Sequence, residues 1–178
     1  MFRESRPIAE KYSHLKFPDG LTAEDQKSII AQCEYQGDTS DEDILGFAAA
    51  YADAKSLTEG DLRLSPKNVH ELILRWARLT EPRNIKGVRT TPITFANGNS
   101  ALAPNLIDQA LQNFEQEYAM LLEDKTEDER YNRDKLFFNF ENIHPFEDGN
   151  GRVGDLLWKV LSYAIDKKWP YGLPPEYK

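Results

Sequence analysis

The chain has 178 residues, of which 40% are hydrophobic and 29% charged, and it carries a formal net charge of −8. That is the balance of an ordinary soluble globular domain, long enough to bury a core unaided. The acidic excess excludes a general binder of nucleic acid or of anionic membranes, since either needs a basic face to neutralise phosphates.

Cys33 is the single cysteine, which rules out an intramolecular disulfide or a cysteine metal cluster and fits a reducing compartment. A cytoplasmic protein is therefore expected, with export as an effector left open. No run of residues approaches the ~18 apolar positions of a membrane span, and the polar opening Met1 to Glu10 lacks the apolar core of a signal peptide.

Residues 1–20, with Pro7, Pro18 and Gly20, read as an irregular arm. From Leu21 the pattern predicts a helix capped by Thr22, with Glu24 and Asp25 in its first turn and Ile29, Ile30 and Cys33 on its apolar face. Gln36-Gly37-Asp38 breaks it. A second helix is predicted over Ser40 to Ser56, with Asp41, Glu42 and Asp43 at its positive end and Ile44, Phe47, Ala48 and Tyr51 at helical spacing. Ser65-Pro66 opens a third, with Ser65 as cap and Val69, Leu72, Ile73, Trp76 and Leu79 as its buried face. His70 beside that face and His14 in the arm read as packed or capping histidines, because neither has a second metal ligand at useful spacing.

Gly87 to Phe95 differs in kind. It is β-branched and alternating, and Ala96-Asn97-Gly98-Asn99 supplies a turn that would fold Ser100 to Leu102 back on it. A short β-hairpin is expected, with Pro92 confining the strand to an edge. The edge Thr91, Pro92, Ile93 and Thr94 is a place where an extended peptide of another protein would add a strand, or else a plain surface turn. A fourth helix follows from Pro104 to Asp124 and a fifth from Arg130 to Ile143. A sixth starts within the glycine-rich segment and ends near Trp169-Pro170, where proline stops it. The tail 171–178 is irregular, so residues 21–170 make one mostly α domain.

Between the last two helices lies Ile143-His144-Pro145-Phe146-Glu147-Asp148-Gly149-Asn150-Gly151-Arg152. It is a phosphate site in outline. Glycines let backbone N–H groups converge on an anion, the next helix adds unpaired donors and a positive dipole end, and Arg152 offers a fork of donors. Asp148 is placed to hold the Mg²⁺ that accompanies a polyphosphate, and His144 is a base with a pKa near neutrality.

From His144 through Arg152 this segment resembles the signature of the Fic family, His-Pro-Phe-x-Asp/Glu-Gly-Asn-Gly-Arg-x-x-Arg, without a break. Gly87-Val88-Arg89 and the predicted hairpin are similar to the family's flap, and the helices from Asp41 to Ala164 fall in its order. The resemblance implies a mostly helical Fic-like bundle with a short β-hairpin flap beside the active-site loop. It implies a protein adenylyltransferase that moves AMP from ATP to a Ser, Thr or Tyr hydroxyl of a target protein. His144 would then be the catalytic base, Asp148 the Mg²⁺ ligand, Gly149, Asn150 and Gly151 the anion nest, Arg152 the β-phosphate ligand and Phe146 the loop's anchor.

Two departures qualify that expectation. Asp155 stands where the family has its second arginine, which grips the γ-phosphate, and a carboxylate there would repel it. Many members also carry an inhibitory helix, Ser/Thr-x-x-x-Glu-Gly/Asn, whose glutamate pairs with that arginine; its nearest counterpart here, Gln32 to Gly37, has Gln36 in place of the glutamate. Three readings stay open: an uninhibited enzyme or one held by a separate inhibitory protein, an enzyme using another phosphate-containing donor such as phosphate or phosphocholine, and a binding relative without transferase activity.

Overall fold

The computed structural model describes residues 10–58, 66–123 and 128–175. Six α-helices account for most of them: α1 Ala23–Gln36, α2 Asp41–Ser56, α3 Pro66–Thr80, α4 Ile107–Glu123, α5 Glu129–Ile143 and α6 Asn150–Asp166. Local chemistry sets most of the boundaries. Thr22 and Asp25 close a reciprocal capping box at the start of α1, and Gly37, at φ 79°, ends it in the left-handed conformation that glycine adopts without penalty. The Ser40 hydroxyl accepts from the Asp43 N–H to start α2. Ser65, expected to cap α3, lies outside the described residues, as do the first nine residues of the expected arm and the last three of the tail.

The predicted helices recur with shifted ends. Pro104–Leu106 is a 3-10 turn rather than the first turn of α4, and a second one, Pro82–Lys86, follows α3 without having been expected. Helix α6 stops at Lys167, which turns left-handed at φ 54°, three residues before the proline expected to end it.

The expected hairpin is corrected. Among the described residues there is no strand, only an isolated antiparallel bridge between Thr94 and Ser100. The Phe95 N–H donates to Asn99 and the Ala101 N–H to Ile93, so the turn itself closes as the Asn97-Gly98 sequence demands. In that register Thr94 and Ser100 are a non-hydrogen-bonded pair, so the next ladder bonds would run from the Ile93 N–H to the Ala101 carbonyl and from the Ala103 N–H to the Thr91 carbonyl. Neither is made, and the Thr91 carbonyl instead accepts from Arg89. With that carbonyl engaged elsewhere the ladder does not lengthen.

Helix α6 is the axis of the molecule and packs against each of the other five helices. A helix so enclosed has no polar face to spare, so its polar residues Arg152, Asp155, Lys159 and Ser162 are buried along with Val153, Leu156, Leu157, Val160 and Leu161. The hydrophobic core runs from Ile29 and Phe47 through Ile73 and Trp76 to Phe114, Phe140 and Phe146. His70 bonds Glu115 across α3 and α4 at 2.6 Å, and His14 bonds Asp41 at 2.8 Å.

Candidate active site

The loop from His144 to Gly149 joins the C-terminus of α5 to the N-terminus of α6, and both ends are shaped by left-handed residues. His144 caps α5 at φ 48° and ψ 61°, where a residue with a Cβ is uncommon, and its N–H bonds the Phe140 carbonyl at 2.9 Å. Gly149 starts α6 at φ 80°, and no side chain caps that helix. The first N–H groups of α6 therefore stay available to an anion. Between the two turns the loop is closed on itself. The Asn150 amide accepts from the Phe146 N–H and donates to the Phe146 carbonyl, each at 2.9 Å, while the Phe146 ring is fully buried in the core. The Asn150 side chain thus faces the loop's interior, and only its backbone N–H is left for an anion.

The His144 imidazole lies partly buried under the Thr91–Leu102 loop, where Phe95 meets it edge to face with ring centroids 5.1 Å apart. Nδ1 is enclosed and makes no hydrogen bond of good geometry. Burial lowers the ring's pKa below the ordinary imidazole value; the nearby Glu141 carbonyl opposes that, the Arg89 charge reinforces it and Asp148 opposes it. The net result is a neutral ring at pH 7, the form in which an imidazole accepts a proton.

Arg89 was legible only as part of a flap, yet it organises this corner. Its buried guanidinium donates to the carbonyls of His144 at 2.6 Å, Thr91 at 2.7 Å, Leu102 at 2.6 Å and Ile143 at 3.2 Å. Its backbone N–H adds a bond of 2.8 Å to the Pro145 carbonyl. Of the predicted target-binding residues, Thr91, Pro92 and Thr94 are exposed and Ile93 is half-buried; Thr91 reaches toward Glu147 at 3.4 Å.

Arg152 stands at the other end of the loop in a different setting. It is 1% exposed and surrounded by carboxylates: Asp38 at 3.1 Å, Asp43 at 3.9 Å and Asp148 at 3.9 Å. None of its three nitrogens makes a hydrogen bond of good geometry. The end of α1 covers the adjoining glycine. Gln32 donates to the Gly151 carbonyl at 3.4 Å, and the Gln36 amide lies so close that a Cβ on Gly151 would collide with it. The Gln32 to Gly37 segment, picked out in sequence as the counterpart of an inhibitory helix, therefore sits directly on Gly151 at the start of α6.

Asp155 is fully buried and turned away from that surface. Its Oδ1 accepts from Lys159 at 2.6 Å, one helical turn on, and Lys159 also donates to the Gly172 carbonyl. Burial raises the Asp155 pKa and Lys159 pulls it back. Glu141, missed by sequence reasoning, lies between α5 and α6, and burial with help from Asp155 pushes its carboxyl up to about 7. Glu141 shares a cleft of about 80 Å³ with Gln32, Tyr35, Gln36, Gly151 and Pro174. No feature of the sequence marked it, because its position relative to α6 is a product of packing.

The sequence model of the Fic/DOC family matches residues 66–161, more than half of the chain. The chain belongs to the Fic family. Among solved structures it is similar to a Fic domain-containing signalling protein from Bacteroides thetaiotaomicron VPI-5482, with a TM-score of 0.53 and 20% identity. The match covers 82% of this chain and 57% of that one, so the chain spans little more than half the length of that protein. At such identity the likeness speaks for the fold. No curated protein matches the chain in sequence. Among the described residues no helix is long and apolar enough to cross a membrane.

Whether this Fic site fits Mg²⁺ turns on Asp148. Among the described residues there is no group of three or more His, Cys, Asp or Glu side chains able to hold a metal by themselves. Mg²⁺ does not require one, since it is commonly bound by one or two carboxylates with phosphate oxygens and water. Asp148 is 43% exposed; its Oδ1 accepts from the Gly149 N–H at 2.7 Å and lies 3.9 Å from Arg152, while its Oδ2 meets only the exposed side chain of Arg83 at 3.0 Å, free to swing into solvent. One accessible carboxylate beside an uncapped helix start and a guanidinium with unused donors fits a metal that arrives with a polyphosphate.

Proposed function

We propose that this Fic-family chain is a Mg²⁺-dependent protein adenylyltransferase, moving AMP from ATP to a Ser, Thr or Tyr hydroxyl of a target protein. The observation that carries the reading is the pairing of a neutral, immobilised His144 with the open N-terminus of α6 and Arg152 across one short loop. The target hydroxyl approaches beneath the Thr91–Leu102 loop. His144 takes its proton as the oxygen attacks the α-phosphorus; the new P–O bond forms while the bond to pyrophosphate breaks, and pyrophosphate leaves with the electron pair. The donors of Asn150, Gly151 and Arg152 face the charge that develops on it, and the Gly149 N–H joins them only by leaving the Asp148 carboxylate. Asp148 would hold Mg²⁺, whose contribution is to neutralise the phosphate oxygens. Arg152 engages the β-phosphate only by exchanging Asp38 for it, and Gln36 must withdraw from Gly151.

A second reading, favoured by one observation, is transfer from a different phosphate-containing donor. Asp155 leaves no guanidinium for a γ-phosphate, and its own charge is spent internally on Lys159. The deciding experiment incubates the protein with Mg²⁺, a cell extract and ATP labelled at the α-phosphate, beside His144→Ala. Label in a protein band that disappears with the variant supports AMP transfer, with a loss of 10² or more expected for a missing base. Transfer only from another donor supports the second reading. Absence of modification with every donor refutes the enzyme and leaves a binding relative.

A further inference from the structure

We propose that Arg89 is a positioning residue of this site, holding the His144 imidazole in place both through the His144 backbone and through the loop that covers the ring. The proposal rests on the reading of His144 as the base. Two constraints on the ring converge on one guanidinium. The first is local: His144 adopts a left-handed conformation that is strained for a residue with a Cβ, and the bond from Arg89 Nε to its carbonyl opposes relaxation. The bond from the Arg89 N–H to Pro145 fixes the next peptide as well.

The second constraint acts from above. Nη1 donates to Thr91 and Nη2 to Leu102, the two ends of the loop that places Phe95 on the imidazole. A planar fork reaches four carbonyls in different directions; an ammonium on a flexible stem does not. Among the described residues Arg89 makes no ion pair, and its charge remains close enough to His144 to disfavour the imidazolium. The other charged groups that act on this corner are Asp148, which favours the imidazolium, and Glu147, which acts on Arg89. Arg89 thus serves geometry and protonation state together without touching the reacting atoms.

The test is the titration of His144 in Arg89→Lys, followed by NMR of histidine-labelled protein and assigned with His144→Gln, alongside transfer kinetics with the donor found active. In Arg89→Lys the His144 pKa should rise toward the ordinary imidazole value, and kcat should fall by about 10² with the donor KM within about twofold. Ile73→Val, a core change on α3 away from the loop, should alter neither and controls for general loosening. A His144 titration in Arg89→Lys that matches the parent protein overturns the proposal. Should the lysine variant fail to fold, Phe95→Ala removes the loop's contact with the ring and leaves the guanidinium in place; an unchanged His144 titration there is equally fatal. Because the titration needs no substrate, it decides the role of Arg89 even if no donor is ever transferred.

Discussion

Arg89 and Arg152 are both buried arginines beside one nine-residue motif, and they are held by opposite means. Among the described residues, Arg89 has four side-chain hydrogen bonds to carbonyls and no ion pair; Arg152 has three carboxylates around it and no hydrogen bond of good geometry. Hydrogen bonds to fixed backbone dipoles are directional and lock a side chain into one place. Attraction to partly exposed carboxylates is long-ranged and forgiving of position. The first arrangement suits a group that must not move, the second a group that must change partners. On the proposed reading of the site, Asp38, Asp43 and Asp148 would hold the place of a phosphate at Arg152.

The sharpest way to break this comparison is to remove each charge at nearly constant length. Arg89→Met strands four carbonyls in a closed environment, at 1–3 kcal/mol each, so a loss of about 4 kcal/mol or more is expected at any pH between 5 and 8. Arg152→Met leaves carboxylates that water can reach, and the loss at pH 7 should be about 2 kcal/mol. That loss should shrink toward pH 4, because burial already holds the Asp38 pKa above the ordinary carboxylate value, Arg152 only partly offsets it, and removing Arg152 lets Asp38 take up a proton more readily still. Urea unfolding at several pH values measures both. If Arg152→Met shows the larger, pH-independent loss, the two sites have been read the wrong way round.

Glu141 extends the comparison to a buried charge with neither kind of partner. Its Oε1 makes no hydrogen bond and its folded-state pKa is raised to about 7. A raised carboxyl pKa means that the folded protein binds the proton more tightly than the unfolded chain does. The associated penalty is absent below about pH 4.3, grows as pH rises toward 7 and is full above it. Glu141→Gln should therefore stabilise the protein by about 3 kcal/mol at pH 8 and hardly at all at pH 4. A gain that is the same at both pH values would mean that Glu141 finds a partner in solution.

The smallest expected effect belongs to Asp38→Asn. If Asp38 competes with phosphate for Arg152, the variant should bind inorganic pyrophosphate with Mg²⁺ several-fold more tightly, a difference of about 1 kcal/mol by calorimetry. Equal or weaker binding would show that the carboxylate is no competitor.

Much of this was legible from residues alone because it depends on neighbours in sequence. Thr22 and Ser40 announce their helices by cap chemistry, and the His144–Arg152 motif names the family by local order. The fully buried Phe146 lies where an anchor is needed. The extended flap failed for a non-local reason: the Thr91 carbonyl, which the next ladder bond needs, is claimed by Arg89, whose guanidinium is held at the carbonyls of Ile143 and His144. Asp155 also read differently in isolation. Sequence places it in the motif as a repelling charge, while the fold buries it against Lys159, because α6 is enclosed on all sides and a carboxylate there must find its counterion on its own helix.

The sequence by itself therefore determined the chemical inventory: a helical chain, a base, a carboxylate, a glycine loop and a guanidinium in one short stretch. Only the tertiary structure decided what those groups face. Packing across more than fifty residues brings Arg89 to the His144 carbonyl, more than a hundred bring Gln32 to Gly151, and the α1–α2 connection brings Asp38 to Arg152. Contacts of that range depend on how helices pack around α6, and no local pattern encodes them.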